Sequence, residues 1–214
     1  MVQSRVVCAL AGAALSALVL GGCAGGDPGV AQTPSPSVPA SAAASASPSA
    51  EPTPTPSPAS AAGPAVNIPV PEKPALADEN SVEGLEAFTE WWFELGNYAV
   101  ETGDVEPWQA KTDSGCKSCE SLVESVKEAH QDNGWVVGGS VELDSFGSNF
   151  EPNVYGSISA FVEVTQGPAT YYSADGSVLN ETAGQEEATL REIIAVHENG
   201  VWLMLDFGSV NTGE

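Results

Sequence analysis

Thirteen of the sixteen prolines lie between residues 28 and 74, and this clustering confines where a packed fold can form. They alternate with Ala, Ser, Thr and Gly, with almost no aromatic or large aliphatic residue before Val66. A chain of this kind buries too little apolar surface to offset its conformational entropy. Residues 23–77 are therefore expected to form a disordered tether. The run from Pro52 to Pro58 favours extended polyproline II, and full extension of some 54 residues spans on the order of 160 Å. What remains is 78–214, a length suited to one domain with a single core.

The start of the chain has a different character. Arg5 is followed by an uncharged apolar run from Val6 to Leu20. That run is too short to cross a bilayer as a helix, which takes about 20 residues, and it has the length of a signal-peptide core. It closes on Leu20-Gly21-Gly22-Cys23, which resembles the bacterial lipobox. The resemblance implies removal of 1–22 and transfer of a diacylglyceryl group to the Cys23 thiol. Anchoring by two acyl chains is stable where one chain alone is marginal. The expected location is the extracellular face of the cell membrane, with the lipid on Cys23 as the membrane attachment.

In 78–214 the pattern is helices first, then strands, which predicts an α+β fold. Leu85, Phe88, Trp92, Leu95 and Ala99 recur at three- and four-residue spacings, predicting a helix over 81–102. Asn80 and Glu83 are spaced as a capping box, and Gly103 is placed to end the helix. A short helical turn is expected at Glu106-Pro107-Trp108 and a second helix over 117–132. After Gly134 the period becomes two. Trp135, Val137, Val141 and Leu143 alternate across a bend at Gly138-Gly139. Ile158, Ala160, Val162 and Val164 form a second strand. A hairpin is expected at Asp175-Gly176, and another at Asn199-Gly200 between strands 188–197 and 201–207.

This order of elements over about 81–210 resembles the NTF2-like superfamily, in which a curved antiparallel sheet and N-terminal helices form a cone. More locally, three segments are similar to a family of uncharacterised actinobacterial lipoproteins. They are Thr102-Gly103-Asp104, the run from Asp113 to Cys119, and the run from Gly134 to Gly139. The resemblance implies location and fold, and no activity.

Charge narrows the functional classes. The whole chain carries −23, and 78–214 holds 26 acidic and four basic residues. Such a surface repels phosphate backbones, so nucleic acid is not expected as a partner. A cationic ligand is compatible with it, and so is an acidic coat that keeps an exported domain soluble.

With Cys8 and Cys23 accounted for by export, Cys116 and Cys119 remain as C-x-x-C at the start of the second helix. A structural disulfide is the main expectation in an oxidising exterior. A redox pair gains from the helix N-terminus but lacks a strand-then-helix context. Zinc would need His130 and His197 as further ligands. Neither histidine stands in a recognisable catalytic arrangement. Glu192 shares an alternating set with Ala188, Leu190, Ile194 and Val196. Were that set to line the cone, Glu192 would be a carboxylate in an apolar cavity and a candidate acid or base. The five tryptophans are expected mainly in the core. Tyr171-Tyr172 forms a candidate contact patch.

The leading expectation is a lipid-anchored surface module that binds a protein, a wall component or a small ligand, without a cofactor or metal. The alternatives are an NTF2-like enzyme using Glu192 and a thiol-disulfide module using Cys116 and Cys119.

Overall fold

The computed structural model describes residues 54–210, so the expected signal peptide and Cys23 lie outside the described residues. Three α-helices are followed by seven strands, a mixed α+β arrangement. The helices are α1 (Val82–Thr102), α2 (Glu106–Gln109) and α3 (Lys117–Ala129). The strands are β1 (Trp135–Gly138), β2 (Val141–Gly147), β3 (Ser157–Gln166), β4 (Ala169–Tyr172), β5 (Val178–Thr182), β6 (Gln185–Glu198) and β7 (Val201–Ser209). They pair antiparallel in two sheets, ordered β1-β4-β5 and β2-β3-β6-β7. No helix among the described residues is long and apolar enough to cross a membrane.

Helix α1 buries the face that its periodicity predicts. Leu85, Phe88, Trp92, Leu95 and Ala99 are all buried. Its N-cap is Ser81, whose hydroxyl accepts from the Gly84 amide, and not Asn80. Gly103 ends it in the left-handed region at φ 80°. A side chain there would collide with the His130 ring, 2.8 Å from the Cβ position, so the helix end and the ring share one space. Helix α3 stops at Ala129, short of the expected Asp132, because Asp132 and Asn133 adopt positive φ in a 3-10 turn.

Gly138 and Gly139 do more than bend one strand. Both sit near φ 80°, and the chain leaves one sheet and enters the other between them. The single strand expected across 135–143 is thus two strands, and the single curved sheet is split in two.

The larger sheet packs on α1 through Ile158, Ala160, Val162 and Val164 of β3, Ile193 and Ala195 of β6, and Trp202 and Met204 of β7. The four β3 residues are the alternating set that the sequence predicts. The inward β6 face carries Ile193 and Ala195, and not the alternating set that includes Glu192. Apolar residues fall on both parities of 190–196, so the β6 pattern alone does not select a face. The pairing with β3 does: Ala160 faces Ile193 and Val162 faces Arg191, whereas Phe161 faces Glu192.

The tether ends earlier than composition implies. Residues 54–77 share its Pro, Ser and Ala content, yet they lie against the domain. Ser57 pairs with Val66 and Ser60 with Gly63 through backbone hydrogen bonds. The Trp91 indole donates to the Pro71 carbonyl and the Trp135 indole to that of Ser60. The boundary expected at 78 is therefore corrected to lie before residue 57, because buried indoles supply the partners that the segment's own composition lacks.

Candidate functional site

A cavity of about 520 Å³ lies between α1, α3 and the inward faces of the two sheets. That size is in the usual range for small-molecule sites. Its apolar wall comes from Trp92, Phe93 and Val100 of α1, Leu122 and Val126 of α3, and Val164 and Phe207 of the sheet. Trp92 packs on Phe93, Trp108 and Phe207 with ring centroids 5.1 to 5.6 Å apart, giving one aromatic wall.

Four polar side chains on the lining are held by hydrogen bonds. Asn97 is occupied on both ends of its amide: Nδ2 donates to the Val141 carbonyl and Oδ1 accepts from the Val141 amide, both at 2.8 Å. Ser118 donates to Asp206 at 2.6 Å, tying the start of α3 to β7. Gln166 Nε2 donates to the Gly139 carbonyl at 3.3 Å. Arg191 projects from the β6 face that also carries Ile193 and Ala195, and its Nη1 donates to Ser209 at 2.8 Å.

Trp108 differs from the other four tryptophans. All five are buried, and the other indole N–H groups donate to Pro71, Thr112, Ser60 and Glu79. The Trp108 Nε1–H is buried without a partner, on a side chain that lines the cavity. Leaving such a donor unpaired costs roughly 1–3 kcal/mol. Gly96 packs against this ring, with its Cβ position 3.2 Å from the indole carbons.

The residues expected to carry chemistry are elsewhere. Glu192 lies on the outer face of β6, opposite Phe161 and Gly208, and does not line the cavity. The reading of Glu192 as an acid or base in a cone is therefore corrected by the strand parity. Cys116 and Cys119 are joined as a disulfide and both are buried. Cys116 is also the N-cap of α3, its sulfur accepting from the Cys119 amide at 3.1 Å. His130 Nε2 donates to the Val100 carbonyl, and His197 Nε2 donates to that of Asp78, both at 2.9 Å. The two histidines and the bonded cysteines do not converge. Among the described residues no group of three or more His, Cys, Asp or Glu is placed to hold a metal ion. Tyr171 lines the cavity and Tyr172 stacks on Trp135, so the pair is half-buried and not an exposed patch.

The groups whose proton affinity is displaced also lie off the lining. Three hydrogen bonds from Ser173 and Ser177 lower Asp175 to about 2. Burial and the neighbouring Asp104 raise Tyr98. Lys117 and Glu120 displace each other through an exposed ion pair.

Sequence reasoning overlooked Arg191 and the Trp108 N–H. One signal for Arg191 was present: it is the single arginine after Arg5, set in a strand of apolar residues. The orphaned donor has no sequence signal, since four of five similar indoles find partners.

The described residues thus form a mixed α+β domain with a largely apolar cavity. Residues 54–207 match the family of unknown function DUF6318, and the chain belongs to that family. No curated protein matches the chain. Among solved structures it is similar to Aln2 from a Streptomyces species, at 17% identity and a TM-score of 0.36, over 57% of this chain and 88% of that one. It is similar to the intermembrane space region of the chloroplast protein ARC6, at 13% identity and a TM-score of 0.42, over 60% and 95%. It is also similar to an uncharacterized protein with a cystatin-like fold from Caulobacter vibrioides, at 14% identity and a TM-score of 0.35, over 63% and 92%. At these scores none of the three carries a function over to this chain.

Proposed function

We propose that this protein is a lipid-anchored binding module of the extracellular membrane face, whose NTF2-like domain holds a small apolar molecule. The observation that carries the proposal is the largely apolar cavity of about 520 Å³. Apolar walls with a few placed polar groups are what small-molecule sites have in common. Binding is favoured over catalysis because the described residues of the lining include no Asp, Glu, His, Cys or Lys. General acid–base or nucleophilic chemistry would need one of these or an activated hydroxyl. The anchor rests on Leu20-Gly21-Gly22-Cys23, as in the actinobacterial lipoproteins that the chain resembles.

Titration of the mature chain with the neutral fluorophore N-phenyl-1-naphthylamine tests the binding reading. Saturable, blue-shifted emission is expected, together with a shift of the Trp108 indole N–H resonance. Ala129→Trp, which fills the cavity from α3, should abolish both. Emission that does not saturate, or that Ala129→Trp leaves unchanged, would sink the reading. For the anchor, Cys23→Ser should remove the lipid mass and the membrane partition. An unchanged mass and partition would refute it.

A further inference from the structure

The basic residues of the domain are few, and their partners separate one from the rest. Lys73 pairs with Asp78, Lys117 with Glu120, and Lys127 with Glu124. Lys111 lies 5.7 Å from the centre of the Trp91 ring. Arg191 makes no ion pair among the described residues, although 78–214 contains 26 carboxylate side chains. Its partner is the neutral hydroxyl of Ser209. Among the described residues it is also the one charged residue on the cavity lining.

We infer that Arg191 holds the anionic head of an amphiphilic ligand whose apolar body fills the cavity, an inference that rests on the binding reading above. A guanidinium presents five donors in a planar fork, and the Ser209 hydroxyl takes one of the five N–H groups. The remaining edge matches a carboxylate, which accepts two parallel hydrogen bonds. Parity explains how the charge reaches this place. Two residues further along β6 on the same face is Ile193, then Ala195, both with no exposed surface. The sheet face thus passes from a sealed apolar core to a cationic end within one alternation. Gln166 and Gln185, paired across β3 and β6, line the same cavity further along the two strands. Beyond it, Phe93, Val100, Leu122 and Val126 receive the apolar body. The domain's charge balance, 26 acidic against four basic residues, sets the valence. It repels a polyanion at long range, and a singly charged amphiphile meets least of that repulsion on its way to Arg191.

The test is displacement of N-phenyl-1-naphthylamine from the mature chain by decanoate and by 1-decanol, matched in chain length and different in charge. Near neutral pH the wild type should prefer decanoate by about tenfold or more, the worth of one charge-assisted hydrogen bond. Arg191→Gln keeps a donor for Ser209 and should bring the two ligands to parity, with the larger loss of affinity falling on decanoate. Arg191→Lys, a charge without the fork, should keep part of the preference. The 1-decanol arm reports in each variant that the cavity is folded. Should Arg191→Gln fail to fold, Arg191→Lys alone carries the comparison, and an undiminished preference there would overturn the fork. Equal binding of both ligands by the wild type would overturn the anion inference and leave the cavity reading standing. A preference that survives Arg191→Gln would overturn the assignment to Arg191. Failure of the neutral fluorophore to bind at all would remove the cavity reading, and this inference with it.

Discussion

The indole N–H of Trp135 donates to the backbone carbonyl of Ser60 at 2.9 Å, across 75 residues of chain. Trp91 reaches the Pro71 carbonyl at 3.0 Å and Trp202 that of Glu79 at 2.9 Å. Three of the five indoles thus hold the segment that leads into α1. A buried indole stabilises the fold by its area, but its N–H must find an acceptor. A proline-rich strand of chain suits that need, because prolines offer carbonyls and no competing backbone N–H. The same composition that fails to fold by itself becomes a layer of the domain once these donors point at it.

Limited proteolysis of the full chain should therefore leave a stable fragment beginning between about residue 51 and residue 57. Mass spectrometry of the limit fragment reads the boundary directly. A fragment beginning near Asp78 would show that the segment is not held.

Trp135→Phe keeps most of the ring and its stack on Tyr172 but removes the donor to Ser60. The expected loss is about 1 kcal/mol of stability, the net worth of one such hydrogen bond. Hydrogen exchange should quicken at the amides of Ser57, Ser60, Gly63 and Val66, which pair within the segment. Unchanged exchange at these four would mean that Trp135 does not hold it.

Much of the fold was legible because local rules and tertiary packing agree. The α1 stripe, the Gly103 stop, the β3 alternation and the two hairpin turns all stand where patterning puts them. Two features were not legible. The inward face of β6 is one, because 190–196 is apolar on both parities and its partner β3 decides the face, not its own pattern. The packing of residues 54–77 is the other, because composition measures what a segment can bury alone, whereas Trp91 and Trp135 act on it from the outside. The cavity was not legible at all. It is a space between elements, and its cationic end follows from the same β6 parity.

At the β4–β5 turn, the Asp175 carboxylate accepts from the Ser173 hydroxyl at 2.7 Å, the Ser177 hydroxyl at 2.6 Å and the Ser177 amide at 2.9 Å. These bonds favour the ionised form and lower its pKa from 3.8 to about 2. A depressed carboxylate contributes stability that is present above its unfolded pKa and lost as pH falls through the folded one. The affected window is thus from about pH 4 down to about pH 2. The Asp175 carboxyl carbon resonance should titrate near 2, and Ser177→Ala should move the midpoint upward. A midpoint near 3.8 in the wild type would show that the turn bonds are not formed.

Cys116 and Cys119 perform two structural tasks at the start of α3, and these can be separated. The bridge closes a loop of four residues, for which the chain-entropy model gives about 2 kcal/mol. The Cys116 sulfur separately caps the helix by accepting from the Cys119 amide. Cys116→Ser with Cys119→Ala removes the bridge but restores a good capping oxygen, so about 2 kcal/mol should be lost. Cys116→Ala with Cys119→Ala removes both, and a further loss of about 1 kcal/mol is expected from the missing cap. Denaturant unfolding of the three proteins with equal slopes measures both steps. Because both cysteines are buried, alkylation of the native protein under mild reductant should be slow and should follow global unfolding. Equal stability of the two double variants would show that the sulfur is no cap. Rapid reduction in the native state would show instead that the pair is accessible for exchange, and would return a thiol-disulfide role to consideration.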